Sequence, residues 1–184
     1  MFPTYVWPVA RENGRRTPVI SNPFNAGKHN GADIVYRLET GETPNNLPAT
    51  TKMFSMPTGI NVLASASGII DRAGYSQSGG YYVVINHGSN YRTFYTHLSS
   101  LNVKAKDHVK TGQKLGIVGD SPSTAYDIRH LHFEIWYGNS PIVHKDPAYY
   151  LNSATYVNQR TSGSFLYATI FLSVVGVGIY LAAR

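Results

Sequence analysis

The sequence contains no cysteine among its 184 residues, so a disulfide, a thiolate nucleophile and a cysteine-ligated zinc site are all excluded. Charged residues are scarce at 14% of the chain. A formal net charge of +6 favours anionic partners. No run of Lys and Arg is dense enough to predict nucleic-acid binding, however. Any metal site in this protein must therefore use histidine and carboxylate ligands.

A signal peptide is also missing from the first residues of the sequence. They show no basic leader ahead of an apolar core, and Pro3 and Pro8 interrupt them. The C-terminal end of the sequence, by contrast, has a long uncharged run. It extends from Phe165 to Ala183 and lies between Arg160 and Arg184. Spanning a bilayer takes ~20 apolar residues as a helix. A buried terminal helix, the alternative, would normally show a polar face, and this run shows none.

The chain is predicted to have four sections. Residues 1–28 form an irregular lead-in, 29–151 a folded domain, 152–163 a polar linker, and 164–184 a single transmembrane helix. Gly and Tyr are abundant, with 17 and 14 copies, which favours strands and turns. The predicted fold is therefore an all-β domain with an antiparallel sheet core, followed by one C-terminal membrane helix.

Within the domain, alternating or continuous apolar segments predict the strands. These segments are 33–38, 61–70 (interrupted by a turn), 81–85, 91–95, 114–118 and 131–137. Turns are predicted at 86–88 and 109–113, and an exposed loop or hairpin at 40–55. Helical character is predicted only near 98–101 and 147–151.

Two histidines stand one residue apart in the last predicted strand. Side chains at positions i and i+2 of a strand share a face, so His130 and His132 lie side by side, while Leu131 and Phe133 point to the core. Such a pair can form half of a metal or catalytic site. An exposed pair of histidines on a strand edge is an equally good interpretation of this motif alone.

A second group of polar residues comes from the start of the domain. His29 and Asp33 flank Gly31, which disfavours a helix, so a turn is expected to aim both side chains at one point. His97 ends a predicted strand and could join them. Catalytic zinc usually takes three protein ligands and leaves a fourth position for water. Two histidines and one aspartate fit this rule, and further histidines could bind the water or a developing oxyanion.

Taken together, these motifs resemble the lysostaphin-like, or LytM-type, zinc endopeptidases. The sequence His29-Asn-Gly-Ala-Asp33 matches their H-x-G-x-D motif, and His130-Leu-His-Phe-Glu134 matches their H-L-H-F-E motif. The intervening segments NVLASASGII, GGYYVVINHG, TFYTHLSSL and VKTGQKLGIVGDS also resemble the family, in its order. The resemblance covers residues 29–137.

The resemblance implies a role for each motif residue. It implies that His29, Asp33 and His132 hold Zn²⁺, and that His97 and His130 are the catalytic histidines. The substrate implied is bacterial peptidoglycan, cut at its peptide cross-links.

Other polar residues are given lesser roles. Glu134 is expected to orient an imidazole, and His87 to be structural. His108 and His144 are expected at the surface. Two departures from the family, an apparent insertion at 40–55 and the loss of a Gly-rich stretch at 121–129, leave the cleaved bond open.

The predicted membrane helix suggests where such an enzyme acts. A tail-anchored wall hydrolase without a signal peptide has an export problem, which a virion of a lipid-containing bacteriophage would solve. We therefore predict a virion-associated lysin for entry or lysis, contacting the lipid membrane and other virion proteins. The alternatives are a bacterial envelope-anchored hydrolase and an inactive wall-binding or regulatory module. Nucleic acid is not an expected partner.

Overall fold

The protein is built on one large antiparallel β-sheet. The computed structural model describes residues 3–12, 16–37, 54–120, 129–152 and 154–159. Its elements, in chain order, are β1 (Arg11–Glu12), β2 (Pro18–Asn22), β3 (Ala32–Arg37), β4 (Phe54–Ser55), β5 (Asn61–Leu63), β6 (Gly68–Ser76), β7 (Gly80–Gly88), β8 (Tyr91–Leu101), β9 (His108–Val109), β10 (Lys114–Val118), β11 (Leu131–Tyr137), β12 (Val143–Lys145), α1 (Pro147–Leu151) and β13 (Asn158–Gln159).

The order of the strands brings distant parts of the sequence together. The main path of the sheet runs β2-β3-β11-β8-β7-β6-β9, with β4 on β3, β12 on β11, and β10 joining β5 to β8. β11 therefore lies between β3 and β8. Asp33 is directly opposite His132 on one side, and Thr96 is opposite it on the other.

The two faces of β11 have different surroundings. Leu131, Phe133 and Ile135 are fully buried in the apolar core, as the alternation predicted. His132, Glu134 and Trp136 occupy the other face. Each buried apolar side chain contributes roughly 1.5–3 kcal/mol from its removal from water. The core side of the strand thus fixes its register, and the register fixes which polar side chains face the other way.

Several predicted elements are confirmed, and three details are wrong. The strand at 131–137 and the helix at 147–151 have the predicted bounds. Residues 98–101 are not helical but complete β8, because they pair with β10, and Leu98 also pairs with Tyr81 of β7. Residues 86–88 continue β7, and the turn lies at Ser89 and Asn90, whose φ values are 49° and 64°. The lead-in also contributes a strand, β2, to the main sheet.

The predicted transmembrane helix must be corrected. Within the described ranges, no helix is long and apolar enough to cross a membrane. The helix α1 has five residues, which gives about 7.5 Å of rise against the ~30 Å of a bilayer core. The predicted helix, residues 164–184, lies outside the described residues. Over the described residues the fold class is all-β and antiparallel. The predicted membrane helix, and the single-pass membrane localisation that depended on it, are corrected by the finding that these residues contain no helix able to span a membrane.

Glycine at position 31 is required by the close approach of β11. A Cβ atom there would lie 2.5 Å from the carbonyl oxygen of Phe133 and 2.9 Å from Nε2 of His132. At Gly74, by contrast, the nearest atom would be the hydroxyl of Tyr82 at 3.2 Å, at the end of a side chain.

We predict that Gly31→Ala lowers the free energy of unfolding by about 1–3 kcal/mol, because the methyl group pushes against backbone. Gly74→Ala, the matched control, should change it by much less. Urea unfolding of both variants measures the difference. Equal stabilities would show that position 31 has more space than the structure indicates.

Candidate active site

Three side-chain atoms converge at one point beside the sheet. Nε2 of His29 lies 3.2 Å from Oδ1 of Asp33 and 3.2 Å from Nδ1 of His132, and the last two atoms are 2.9 Å apart. Donors around a tetrahedral zinc at 2.0–2.1 Å are about 3.3 Å from one another. The three residues therefore fit a zinc ion in both spacing and chemical type.

Local structure explains how His29 reaches this point. A tight turn precedes β3, with backbone hydrogen bonds in both directions between Asn25 and His29. The turn lies at residues 26–28, slightly earlier than the predicted 29–33, and Asp33 is in β3, which begins at Ala32. Gly31 then allows the segment to lie against β11, so the imidazole of His29 faces His132, with ring centroids 5.0 Å apart.

Hydrogen bonds on the far side of each imidazole select the nitrogen that faces the centre. Nδ1 of His29 donates to the carbonyl of Pro23 at 2.9 Å, which leaves Nε2 for a metal. Nε2 of His132 donates to Oε1 of Glu134 at 2.9 Å, which leaves Nδ1. Such partners fix the tautomer and the ring orientation of metal-binding histidines.

The charged groups of the site shift one another's pKa values towards their ionised forms. Burial by itself would raise the pKa of Asp33, but hydrogen bonds from His132 and Asn22 hold it well below its usual range. Burial would lower the pKa of His132, but its hydrogen bonds to Asp33 and Glu134 raise it to about 9. In the absence of metal, His132 is therefore protonated at neutral pH and lies between two carboxylates.

The two other predicted histidines lie beside this centre. His130 is buried immediately before β11, and its Nε2 is 3.7 Å from Oδ1 of Asp33. The ring centroid of His97 is 4.8 Å from that of His130 and 6.0 Å from that of His132. Burial and the nearby imidazoles lower the pKa of His97 to about 4, so it is neutral at pH 7. The structure thus brings all five sequence-predicted site residues together.

Glu134 connects the site to residues that the sequence did not indicate. Its Oε2 accepts a hydrogen bond from Nε1 of Trp136 at 2.6 Å, and Nδ1 of His144 lies 2.9 Å from the same oxygen, although poorly directed for a hydrogen bond. Burial would raise the pKa of Glu134, but the hydrogen bonds from His132 and Trp136 lower it. His144 was expected at the surface, and is instead half-buried against this carboxylate.

Asn22 and Pro23 were also missed. The side chain of Asn22 donates to Oδ2 of Asp33 at 2.9 Å, so that Oδ1 faces the centre. No motif marks either residue, because Asn22 meets Asp33 only through the pairing of β2 with β3, and Pro23 directly follows β2. The sequence could have indicated these two residues only through a predicted strand at the position of β2.

The remaining predicted features lie elsewhere. His87 contacts the carbonyl of Ser67 and the hydroxyl of Thr93, at 2.9 and 2.8 Å, and is structural as expected. His108 is exposed. Of the apparent insertion at 40–55 only β4 is described, and of the loop at 121–129 only Arg129; the rest of both lies outside the described residues.

Comparison with known proteins identifies the family. The sequence matches peptidase family M23 over residues 49–144, which is more than half of the chain. The protein belongs to this family, a class of metallopeptidases. The match begins after His29 and Asp33, and the structure places that earlier motif against His132.

Individual relatives agree with this assignment. The chain is 32% identical over 118 residues to the peptidoglycan DD-endopeptidase ShyA of Vibrio cholerae, covering 60% of this chain and 27% of ShyA. It is 38% identical over 115 residues to the glycyl-glycine endopeptidase ALE-1 of Staphylococcus capitis, covering 60% and 31%. The chain thus spans less than a third of the length of these relatives.

A solved structure extends the similarity to the fold. The catalytic domain of lysostaphin from Staphylococcus simulans is 29% identical and superposes with a TM-score of 0.52, over 76% of this chain and 95% of that domain. The predicted resemblance is therefore confirmed. Because M23 metallopeptidases are zinc-dependent and the His/Asp/His group is in place, the predicted zinc cofactor is confirmed as well.

We predict that zinc binds more tightly as the pH rises from 7 to 8. The pKa of His132 is raised from 6.5 to about 9, so a proton occupies it throughout this range and zinc must displace that proton. The apparent affinity should rise by about tenfold per pH unit. Competition with a chromophoric chelator, corrected for its own protonation, measures the slope. A pH-independent affinity would contradict the assignment of His132 as a ligand.

Proposed function

We propose that this chain is a zinc-dependent endopeptidase that hydrolyses peptide cross-links of bacterial peptidoglycan. The single observation that carries the proposal is the arrangement of five residues on one side of the sheet. Three of them, His29, Asp33 and His132, present metal-ligand atoms, and two, His97 and His130, lie within reach of the same centre. The relatives named above act on wall peptides, which supports the substrate class.

The chemistry divides between the metal and the protein. Zinc, when bound by His29, Asp33 and His132, polarises a carbonyl and acidifies water. Asn22 and Glu134 hold two of the ligands in place from behind. This leaves the proton transfers of the reaction to the two remaining histidines.

His97 and His130 are suited to those transfers. His97 is neutral at pH 7 and can accept a proton from the attacking water. His130 lies next to it, where it can stabilise the tetrahedral oxyanion, and either imidazole can pass a proton to the leaving amine. No covalent intermediate is required.

Two relatives differ in the bond that their names specify. ShyA is a DD-endopeptidase and ALE-1 a glycyl-glycine endopeptidase. Our proposal covers a peptide cross-link of either kind. The predicted virion role rested on the C-terminal anchor, which the structure does not support, so it is not carried forward.

An inactive wall-binding or regulatory module is the competing function. Such a module has no need for a complete set of ligands and catalytic histidines. Here all five residues are present and their geometry is maintained by hydrogen bonds to both metal-binding imidazoles. The proposal of an active enzyme therefore has the stronger support.

Variants of the two neighbouring histidines should separate metal binding from turnover. We predict that His130→Ala keeps about one zinc per chain but loses at least about 100-fold in kcat, as expected for an acid–base group. His132→Ala should lose both zinc and activity. His108→Ala, an exposed histidine, is the control. Elemental analysis and turnover assays measure the two properties, and equal zinc loss in both site variants would contradict the division of roles.

The proposed substrate is tested by mass spectrometry of purified peptidoglycan after digestion. We expect new free amino termini on cross-bridge peptides, in walls with direct cross-links, with glycine bridges, or with both. Glycan cleavage without peptide cleavage would contradict an endopeptidase. Intact peptidoglycan with zinc-loaded protein would favour the inactive module.

A further inference from the structure

His97 stands on an irregularity of β8. Pairing between β7 and β8 changes from Val83 opposite Tyr95 to Tyr81 opposite Leu98, so β8 contains one extra residue there. His97 has a φ of 64°, in the left-handed region, which costs a residue with a Cβ about 1–2 kcal/mol. Bulges of this kind re-aim side chains next to functional sites. This one directs the imidazole of His97 towards His130.

One carbonyl oxygen holds the bulge in place. The oxygen of Gly79, in the turn between β6 and β7, accepts from the backbone N–H of His97 at 2.9 Å, from the hydroxyl of Thr96 at 2.9 Å, and from Nδ1 of His97 at 3.1 Å. The N–H of Gly79 in turn donates to the hydroxyl of Ser76 at 3.0 Å. Gly79 is therefore fixed through both its backbone N–H and its carbonyl oxygen.

The turn approaches β8 too closely for a side chain at position 79. A Cβ atom on Gly79 would lie 2.7 Å from the hydroxyl of Thr96 and 3.0 Å from that of Ser76. The hydroxyl of Thr96 thus packs directly against the backbone of Gly79, and their hydrogen bond requires a glycine at position 79 as well as a hydroxyl at position 96.

We propose that Thr96 and Ser76 are positioning residues, which hold the Gly79 carbonyl so that it fixes His97 as the Nδ1–H tautomer with Nε2 facing the reacting centre. The hydrogen bond made by one imidazole nitrogen determines which nitrogen carries the proton. An acceptor at Nδ1 therefore leaves the lone pair on Nε2. The catalytic consequence rests on the proposed function, whereas the tautomer does not.

The tautomer can be measured without any assay of activity. Long-range proton–nitrogen NMR spectra of the ¹⁵N-histidine-labelled, zinc-loaded chain distinguish the two nitrogens, and a His97→Gln variant identifies the signal. We expect the Nδ1–H form for His97. Observation of the Nε2–H form would overturn the proposal, whether or not the protein cleaves peptidoglycan.

Variants of Thr96 test the positioning role. Thr96→Val keeps the shape but removes the hydroxyl donor. It should reduce kcat on peptidoglycan by about tenfold or more, with zinc content unchanged. Thr96→Ser restores the donor and should recover most of the activity. A folded, zinc-loaded Thr96→Val variant with wild-type kcat and wild-type NMR signals would overturn the role of Thr96.

The turn supplies a second, matched pair of variants. Ser76→Ala removes the acceptor for the N–H of Gly79, whereas Ser78→Ala changes an exposed residue of the same turn. We expect a shifted His97 signal and reduced kcat for Ser76→Ala only. Identical behaviour of both variants would show that Ser76 does not position the carbonyl. If no variant or wild-type protein cut any wall, the proposed function would fail while the NMR result still decided the tautomer.

Discussion

The pairing of β3 with β11 is the constraint on which the site depends. It places Asp33 opposite His132, two residues 99 positions apart in the sequence. The register is fixed by the opposite face of β11, where Leu131 and Phe133 are fully buried. A slip of one residue would expose both and turn His132 into the core. Apolar packing on one side of the strand thus determines the geometry of the polar site on the other side.

A second constraint is the balance of charge and hydrogen bonding around the imidazoles. His132 lies between Asp33 and Glu134, at 2.9 Å from each. A carboxylate buried without such partners would tend to protonate and lose its value as a ligand. Here the two carboxylates and the imidazole stabilise one another before any metal arrives. The same contacts orient Nδ1 of His132 and Oδ1 of Asp33 towards the centre, so little reorganisation is needed on binding.

The sequence indicated which residues meet at the candidate site but gave little indication of the residues around them. The i, i+2 spacing of His130 and His132 required only strand periodicity, and the resemblance to a known family supplied the remaining site residues. Asn22 and the Gly79 carbonyl could not be predicted, since their contacts depend on register and on a bulge. The mistaken helix at 98–101 reflects a short apolar pattern that suits either a helix or a strand, and the pairing of this segment with β10 decides for the strand. Hydropathy alone likewise led to the membrane helix that the structure does not support.

The account is tested most directly by anomalous diffraction at the zinc absorption edge from crystals of the zinc-loaded protein. We expect one strong peak about 2.0–2.2 Å from Nε2 of His29, Oδ1 of Asp33 and Nδ1 of His132. The alternative position lies behind His132, where its Nε2, the carboxylate of Glu134 and Nδ1 of His144 offer another group of donors. A peak at that position, with none between His29, Asp33 and His132, would contradict the central claim.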